Sequence, residues 1–248
     1  MSPSTHVEVL SAVFQVGSPC ADAADPPASD ASPADAALRV RLRRTEYGWQ
    51  LPGGPIDADE SLSDTARRYL VEQAQVGAVR HLEQLSVFSD PDRVPGARTI
   101  ASTYLGLVPS DAGAEPTAAG VLAGGEVDDT AAAWHDVDRL PPLAYDHDRI
   151  IAAARHRLAA KLSYTNIAFA LAPAVFPMSE LSAIYGAALG YQVDSTNLLR
   201  VLSRRSVVVA TGTVGRTGRT GGRPPALYSF ADDRLVVTDE FATLRPPL

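Results

Sequence analysis

The first part of the chain contains several short segments with the composition or the apolar and polar alternation of β-strands. Residues 7–16 (VEVLSAVFQV) are rich in β-branched side chains, and residues 37–44 (ALRVRLRR) alternate apolar with basic ones. The same reading predicts three further strands, at 81–88, 99–108 and 131–140. The pattern therefore predicts a mixed β-sheet in this region.

Two segments of the same region have the spacing of helices. Between residues 61 and 74, apolar side chains recur three and four positions apart, and Ser61 is placed to cap the helix. A later helix is expected to extend to about residue 162, with Asp146 as its cap. Strands covered by these helices predict an α/β sandwich, which we assign to residues 1–160.

Residues 18–36 interrupt the pattern. They are small, acidic and proline-rich, and they contain almost no apolar side chain to bury. Such a composition does not offset the entropy cost of ordering the chain, so we expect a flexible surface insert here. Residues 109–125 are also rich in small residues and are expected to form a loop.

The last third of the chain has a different organisation. Residues 179–189 and 194–205 each predict an amphipathic helix, capped by Ser179 and Asp194 respectively, and a short turn containing glycine separates them. Helix, four-residue turn and helix in this order are the signature of a helix-turn-helix motif.

A predicted hairpin follows these helices. Residues 207–210 and 226–230 have strand character, and the loop between them, residues 211–223, is rich in glycine and arginine. A hairpin in this position forms a wing. We therefore assign residues 161–248 to an α+β winged helix-turn-helix domain.

Charge separates the same two regions. Residues 1–162 include 14 basic and 23 acidic residues, which gives a net charge of −9. Residues 163–248 include 8 basic and 6 acidic residues, which gives a net charge of +2. Six arginines and no acidic residue lie between positions 195 and 223. A basic stripe on an acidic protein indicates a nucleic-acid-binding surface, and a solvated surface loop is the alternative interpretation.

The second predicted helix carries the side chains that suit DNA. Leu198, Leu199 and Leu202 are expected to be buried, which leaves a polar face outward. Asparagine and arginine side chains read adenine and guanine edges, and serine and threonine bind phosphates. A winged helix that binds another protein is the alternative. The candidate DNA-binding residues are Ser195, Thr196, Asn197, Arg200, Arg204, Arg216, Arg219 and Arg223.

One stretch of the first region has a recognisable spacing of residues. LPGG at 51–54 is followed by Glu60, Arg68, Leu70, Glu72 and Val76 in fixed register. This spacing resembles the Nudix box of the Nudix hydrolases, in which glycine, glutamate, arginine and further glutamates recur at set positions. The chain departs from it at three places, where Tyr69 and Gln73 replace glutamates and Gln75 replaces glycine.

These departures bear on the chemistry. The resemblance implies a helix whose carboxylates hold Mg2+ or Mn2+ against a pyrophosphate, and hard cations need several anionic oxygens. Two of the three helix glutamates are missing, and Glu72 alone would bind a metal weakly. We therefore expect no catalytic residues, no metal site and no cofactor. For Arg68 and Glu72, an i, i+4 ion pair on the helix surface is the alternative role.

A degenerate Nudix domain followed by a winged helix also resembles the Nudix-related transcriptional regulators of NAD metabolism. LAYDHDRI at 143–150, DSTNLLRVL at 194–202 and GGRPPALYSF at 221–230 carry this likeness. It implies a homodimeric repressor of NAD biosynthesis or salvage genes, which binds palindromic double-stranded operator DNA and senses ADP-ribose or a related nucleotide.

The resemblance also points to residues that would contact the effector. They are Arg41, Gly53, Gly54, Arg68 and His147. Alternation predicts that Arg39, Arg41 and Arg43 point outward from one strand, so solvated positions are the alternative for them. For His147, which is expected at the start of a helix, capping or packing is the alternative.

Two other interpretations of the whole chain are open. One is an ADP-ribose pyrophosphatase with an accessory domain, and the other is a repressor whose Nudix domain serves only as a dimerisation scaffold. The compartment is better constrained. A single cysteine, the absence of an evident secretory signal and the absence of a long apolar stretch predict a soluble cytoplasmic protein with no membrane segment.

Overall fold

A computed structural model describes residues 5–20, 36–112, 132–215 and 224–240. Most of the predicted insert at 18–36 and most of the loop at 109–125 lie outside these ranges. The chain divides into two compact units. Described residues up to His156 form the first, except for 16–20, 36–38 and 109–111, which belong with the residues from Arg157 onward to the second. No helix in the described ranges is both long and apolar enough to cross a membrane.

A seven-stranded sheet forms most of the first unit. Its strand order is β3-β2-β1-β6-β5, with β4 paired to β1 and β7 paired to β2. β1 and β6 are parallel, whereas β1–β4, β2–β3, β2–β7 and β5–β6 are antiparallel. The strands are β1 Thr5–Gly17, β2 Ala37–Thr45, β3 Gly48–Gln50, β4 Gly53–Pro55, β5 His81–Phe88, β6 Arg98–Leu107 and β7 Ala132–Asp136.

All five predicted strands of this region are present, as β1, β2, β5, β6 and β7. One local prediction was wrong. Gly53 and Gly54, which were expected to form a turn, begin the short strand β4 and pair with β1. The diglycine adopts an extended conformation because it lies directly against a buried strand.

Helix α1, Leu62–Glu72, covers one face of the sheet. The side chain of Ser61 caps it by accepting a hydrogen bond from the Asp64 amide, as predicted. The buried Ala66 packs with Val9 of β1, and Leu70 packs with Val13. The two helix residues are four positions apart, as are the two strand residues. One stripe of the helix therefore faces one side of the strand.

Helix α2, His147–Tyr164, is the predicted late helix. Its buried apolar residues recur at the spacing of a helix face: Ile150, Ile151, Ala154, Leu158 and Leu162. The carboxylate of Asp146, which was expected to cap this helix, accepts two hydrogen bonds from Arg93.

The second unit contains the predicted helix-turn-helix and hairpin. Its elements are α3 Met178–Leu189, α4 Ser195–Arg204, β8 Phe176–Pro177, β9 Val208–Val214 and β10 Ala226–Phe230. The strands form a three-stranded sheet in the order β8-β10-β9. β8 was not predicted, because two residues are too few to show alternation.

Backbone chemistry fixes the two helices of this motif. Gly190 ends α3 in the left-handed conformation, with φ of +79°, where glycine carries no steric penalty. Asp194 caps α4 by accepting a hydrogen bond from the Asn197 amide at 2.7 Å, as predicted. The cap predicted at Ser179 was wrong, since α3 begins at Met178 and its N-cap is Pro177.

Candidate functional site

The diglycine strand β4 lies tightly against β1. Gly53 pairs with Leu10, and Gly54 pairs with Val9. A Cβ atom at Gly53 would lie 2.0 Å from the carbonyl oxygen of Val9, which no side chain can accommodate. Glycine is therefore required at position 53 for close backbone approach.

The two side chains that replace the Nudix glutamates hold this strand. The phenol of Tyr69 donates to the Pro55 carbonyl at 2.9 Å, and the amide of Gly53 donates to Oε1 of Gln73 at 2.8 Å. A Cβ atom at Gly54 would lie 2.8 Å from the Tyr69 hydroxyl. Both positions bind the backbone of β4 and not a cation.

The remaining acidic residues surround Arg68. Its guanidinium donates to both oxygens of Glu60 at 2.8 and 2.9 Å, to Asp57 at 2.9 Å and to Glu72 at 3.3 Å. The i, i+4 pair with Glu72 is the predicted alternative. Hydrogen bonding to Arg68 holds the pKa of Glu60 below its usual value. Arg68 is thus committed to carboxylates, which counts against its predicted contact with an effector.

This arrangement does not fit the divalent cation of a Nudix hydrolase. Positions 69 and 73 offer a phenol and an amide that already bind backbone, and the carboxylates of Glu60 and Glu72 pair with Arg68. Among the residues that the structure describes, no group of three or more His, Cys, Asp or Glu side chains is placed to hold a metal.

The outward-pointing arginines predicted on β2 differ in their surroundings. Arg41 is only 3% exposed, and its Nε donates to the Ala74 carbonyl at 2.8 Å. Burial lowers its pKa. The alternative that Arg41 is solvated was therefore wrong, because the chain following α1 and Trp134 of β7 cover it. Its contact with an effector stays a prediction.

Arg43, like Arg39 on the same face, retains unused donor capacity. It is half-buried, and its Nη2 donates weakly to Gln50 at 3.3 Å. Its buried Nε has no hydrogen-bond partner within the described ranges. Burial lowers the pKa of Arg43, while the nearby Tyr69 and Glu8 act to raise it. Sequence alternation had placed Arg43 beside Arg41 without distinguishing them.

His147 lies beneath the LPGG segment. It is 2% exposed, and its Nδ1 accepts a hydrogen bond from the Leu51 amide at 2.9 Å. Burial lowers the pKa of His147 to about 4, so the imidazole is neutral near pH 7. The packing alternative describes this position, and a direct contact with an effector stays a prediction.

A buried ionic cluster adjoins His147. The fully buried side chain of Arg93 donates to Glu8 at 2.6 Å and forms a bidentate pair with Asp146. It connects β1, the loop between β5 and β6, and the start of α2. Sequence reasoning missed Arg93, since nothing local distinguishes it from the other polar residues of its loop.

Two exposed tyrosines extend from the same place. Tyr145 precedes the buried Asp146 and His147, and its ring lies 6.0 Å from the His147 ring and 6.1 Å from the Tyr47 ring. Tyr145 has a positive φ of 57°, which is uncommon for an aromatic residue. Sequence reasoning did not select either tyrosine.

Helix α4 presents polar side chains to solvent. Thr196, Asn197, Arg200 and Arg204 are exposed, and Ser195 is half-exposed. Leu198 and Leu202 are buried as predicted, whereas Leu199 is only partly buried. Nη2 of Arg200 donates to Oδ1 of Asn197 at 2.7 Å. The predicted wing residues Arg216, Arg219 and Arg223 lie outside the described residues.

The fold and these two regions define a Nudix-type domain followed by a winged helix domain. Residues 31–154 match the model of the NUDIX domain, and residues 168–230 match that of the NrtR DNA-binding winged helix domain. The chain belongs to the Nudix family and carries an NrtR-type winged helix.

Individual proteins show the same tandem arrangement. The chain is 27% identical over 198 residues to the ADPR responsive transcriptional repressor NtrR of Acinetobacter baylyi. The aligned region covers 77% of this chain and 74% of the relative. It is also similar to Shewanella oneidensis NrtR complexed with a 27mer DNA, with 26% identity, a TM-score of 0.70 and coverage of 90% and 93% of the two chains.

A second solved structure shares the fold at lower identity. The MutT/nudix family protein from Enterococcus faecalis is 21% identical, with a TM-score of 0.65, over 94% of this chain and 90% of that chain. The two family models and the S. oneidensis structure confirm the predicted succession of a Nudix fold and a winged helix.

Proposed function

We propose that this protein is a transcriptional repressor that binds operator DNA through its winged helix and senses ADP-ribose through its Nudix domain. The exposed polar face of α4, within a domain of the NrtR DNA-binding type, is the observation that carries the proposal. The similar A. baylyi protein is an ADPR responsive repressor, and the similar S. oneidensis protein binds DNA.

The geometry of α4 suits DNA recognition. Its capped N-terminus fixes the first turn, so the side chains that leave it are held on a rigid element. Asn197 and Arg200 can each bind a base edge with two hydrogen bonds, and Thr196 and Arg204 can bind the flanking phosphates. In the free protein, Arg200 donates a hydrogen bond to Asn197, so the two side chains already lie together on one face of the helix.

We further propose that the protein acts as a cytoplasmic homodimer on a palindromic operator in genes of NAD biosynthesis or salvage. A single recognition helix reads few base pairs, whereas two helices related by a two-fold axis read half-sites one helical turn apart. Wing arginines 216, 219 and 223 are proposed to bind the DNA backbone.

Selection of bound sequences from randomised duplex DNA tests the DNA-binding part. We expect a single inverted repeat with half-sites about one helical turn apart. Loss of all sequence preference, or a selected site without internal symmetry, would reject the proposed operator geometry.

Thermal-shift measurements with ADP-ribose, NAD and ATP test the sensing part. A ligand that binds only the native state raises its stability by mass action, so ADP-ribose should raise the melting temperature most. An unchanged melting temperature at millimolar ADP-ribose would contradict sensing and favour a Nudix domain that serves only as a dimerisation scaffold.

Hydrolysis is the second function to test, because the fold belongs to a family of hydrolases. We propose that the protein does not hydrolyse ADP-ribose, since Tyr69 and Gln73 bind β4 where metal ligands would be needed. Incubation with ADP-ribose and Mg2+ or Mn2+ should release AMP at the background rate. Robust turnover that Glu72→Gln abolishes would establish the pyrophosphatase instead.

A further inference from the structure

Tyr145 and Tyr47 form an exposed aromatic pair on the first unit. Tyr145 is 39% exposed and Tyr47 is 64% exposed, and their ring planes are inclined at 41° to each other. Exposed aromatic rings in proteins commonly serve as binding surfaces, because their burial in a complex removes a large apolar area from water.

The backbone at Tyr145 is held in an unfavourable conformation. Its positive φ costs free energy for a side chain with a Cβ atom, and such residues persist only where their surroundings over-determine them. Here the next two residues are fixed: Asp146 by Arg93, and His147 by the Leu51 amide. These two anchors hold the Tyr145 ring at the surface.

A half-buried positive charge lies beside the LPGG segment, because Arg43 pairs with Gln50 across β2 and β3 and its Nη2 donates to Gln50, the residue before Leu51. Arg43 is close enough to influence the pKa of His147, and its own pKa responds to Tyr69 and Glu8. Nε of Arg43 is buried without a partner in the described chain. The Glu8 carboxylate beside it is already paired with Arg93 at 2.6 Å, so it does not neutralise Arg43 directly.

Contacts connect these features in one row. The Tyr47 ring meets Tyr145, the Tyr145 ring meets His147, and His147 binds the Leu51 amide. Leu51 is two residues before the diglycine of β4. An aromatic surface therefore adjoins a cation and a backbone segment without side chains, as a ligand with both a planar ring and a phosphate chain requires.

We propose that Tyr145, supported by Tyr47, stacks on the purine base of the effector, and that Arg43 binds its diphosphate beside Gly53 and Gly54. This assignment rests on the proposed nucleotide sensing by the Nudix domain. Base–aromatic stacking tolerates different bases, and a guanidinium binds phosphate oxygens in pairs. Arg43 thereby takes the role predicted for Arg41, two residues earlier on the same face.

Calorimetric titrations of full-length variants test both halves of the proposal. Tyr145→Asn removes the ring while keeping a residue that tolerates positive φ, and it should weaken ADP-ribose binding about tenfold. Arg43→Gln should weaken it about 10- to 100-fold through loss of charge-assisted hydrogen bonds. Tyr145→Phe keeps the ring and should restore most of the affinity.

A second ligand separates the two subsites. Inorganic pyrophosphate has no base, so Tyr145→Asn should bind it like the wild-type protein, whereas Arg43→Gln should bind it more weakly. A general structural defect would weaken both ligands in both variants. As a matched control, Tyr191→Asn removes an exposed tyrosine of the second unit and should leave ADP-ribose affinity unchanged.

The outcomes separate this inference from the function on which it rests. Wild-type protein that binds no ADP-ribose would overturn the proposed sensing, and the subsites with it. Wild-type protein that binds ADP-ribose while Tyr145→Asn and Arg43→Gln bind it equally well would overturn the subsites alone. If Tyr145→Asn lost as much affinity for pyrophosphate as for ADP-ribose, base stacking would also be contradicted.

Discussion

Helices α1 and α4 use their polar side chains in opposite ways. On α1, Arg68 is surrounded by carboxylates, and Tyr69 and Gln73 bind the backbone of a neighbouring strand. On α4, Thr196 and Arg204 extend into solvent from a capped and partly buried helix. These three side chains of α1 thus bind other groups of the fold, whereas Thr196 and Arg204 of α4 face solvent.

This difference indicates what each domain retains. At two positions where the Nudix box has glutamates, Tyr69 and Gln73 bind the backbone of the diglycine strand and stabilise it. Where recognition of a partner is proposed, the polar side chains have few contacts within the protein. Buried polar residues of the first unit, such as Arg93, should therefore affect stability, and the exposed polar residues of α4 should affect DNA binding.

The largest expected effect is at Arg93. Arg93→Met would leave Glu8 and Asp146 without their buried partner, and removing one member of such a cluster costs about 3–5 kcal/mol of unfolding free energy. Urea denaturation measures the change. Arg149→Ala is the matched control, since Arg149 and Asp90 are both 64% exposed and such a pair contributes less than about 1 kcal/mol. Equal effects of the two substitutions would contradict the assigned burial.

The next effect is the pH dependence produced by His147. The unfolded chain protonates this histidine near pH 6.5, whereas the folded protein does so only near pH 4. The contribution of His147 to the unfolding free energy is therefore fully present above pH 6.5 and is lost as the pH falls toward 4. Between pH 7.5 and 4.5 the loss of unfolding free energy should be about 2–3 kcal/mol.

His147→Asn isolates this effect from the titration of carboxylates. Its side-chain oxygen can accept the hydrogen bond of the Leu51 amide but does not titrate. The unfolding free energy of the variant should fall less than that of the wild-type protein over the same pH range. Parallel pH profiles for the two proteins would show that His147 is not buried as a neutral residue.

A smaller effect is expected on α4, and it should appear in binding only. Asn197→Ala and Arg200→Ala should each cost about 1–3 kcal/mol of operator affinity, because each removes a base contact. Since the two side chains already bind each other, the double variant should lose less than the sum of the single losses. Fluorescence anisotropy measures these affinities.

The stability of the α4 variants completes this test. Both residues are exposed, so neither substitution should change the unfolding free energy by more than about 0.5 kcal/mol. Arg234→Ala removes an equally exposed charge of the same domain outside α4 and serves as the control for non-specific electrostatics. If Arg234→Ala weakens operator binding as much as Arg200→Ala does, α4 is not the recognition helix.

Local patterns were sufficient to predict much of this molecule. Alternation predicted the main strands, and the caps Ser61 and Asp194 marked the starts of α1 and α4, because these signals lie within a few residues of one another. Alternation also showed that Arg39, Arg41 and Arg43 share a face. It did not show that this face is covered, since the segments that cover Arg41 come from distant parts of the chain.

The candidate ligand site was harder to predict for the same reason. Arg93 lies in a loop with no periodic pattern, and its partners Glu8 and Asp146 are 85 and 53 residues away. The exposure and backbone conformation of Tyr145 result from the anchoring of the residues that follow it. Such properties depend on tertiary contacts, which spacing along the chain does not report.

The central claim is that ADP-ribose and operator DNA bind to one protein and affect each other. A ligand changes DNA affinity only by its differential affinity for the DNA-competent and incompetent states, and the coupling is reciprocal. Titration of ADP-ribose into the protein–operator complex, followed by fluorescence anisotropy, tests this most directly. We predict that ADP-ribose weakens operator binding, and that operator DNA weakens ADP-ribose binding by the same factor. Constant operator affinity at concentrations where calorimetry shows ADP-ribose bound would contradict the account.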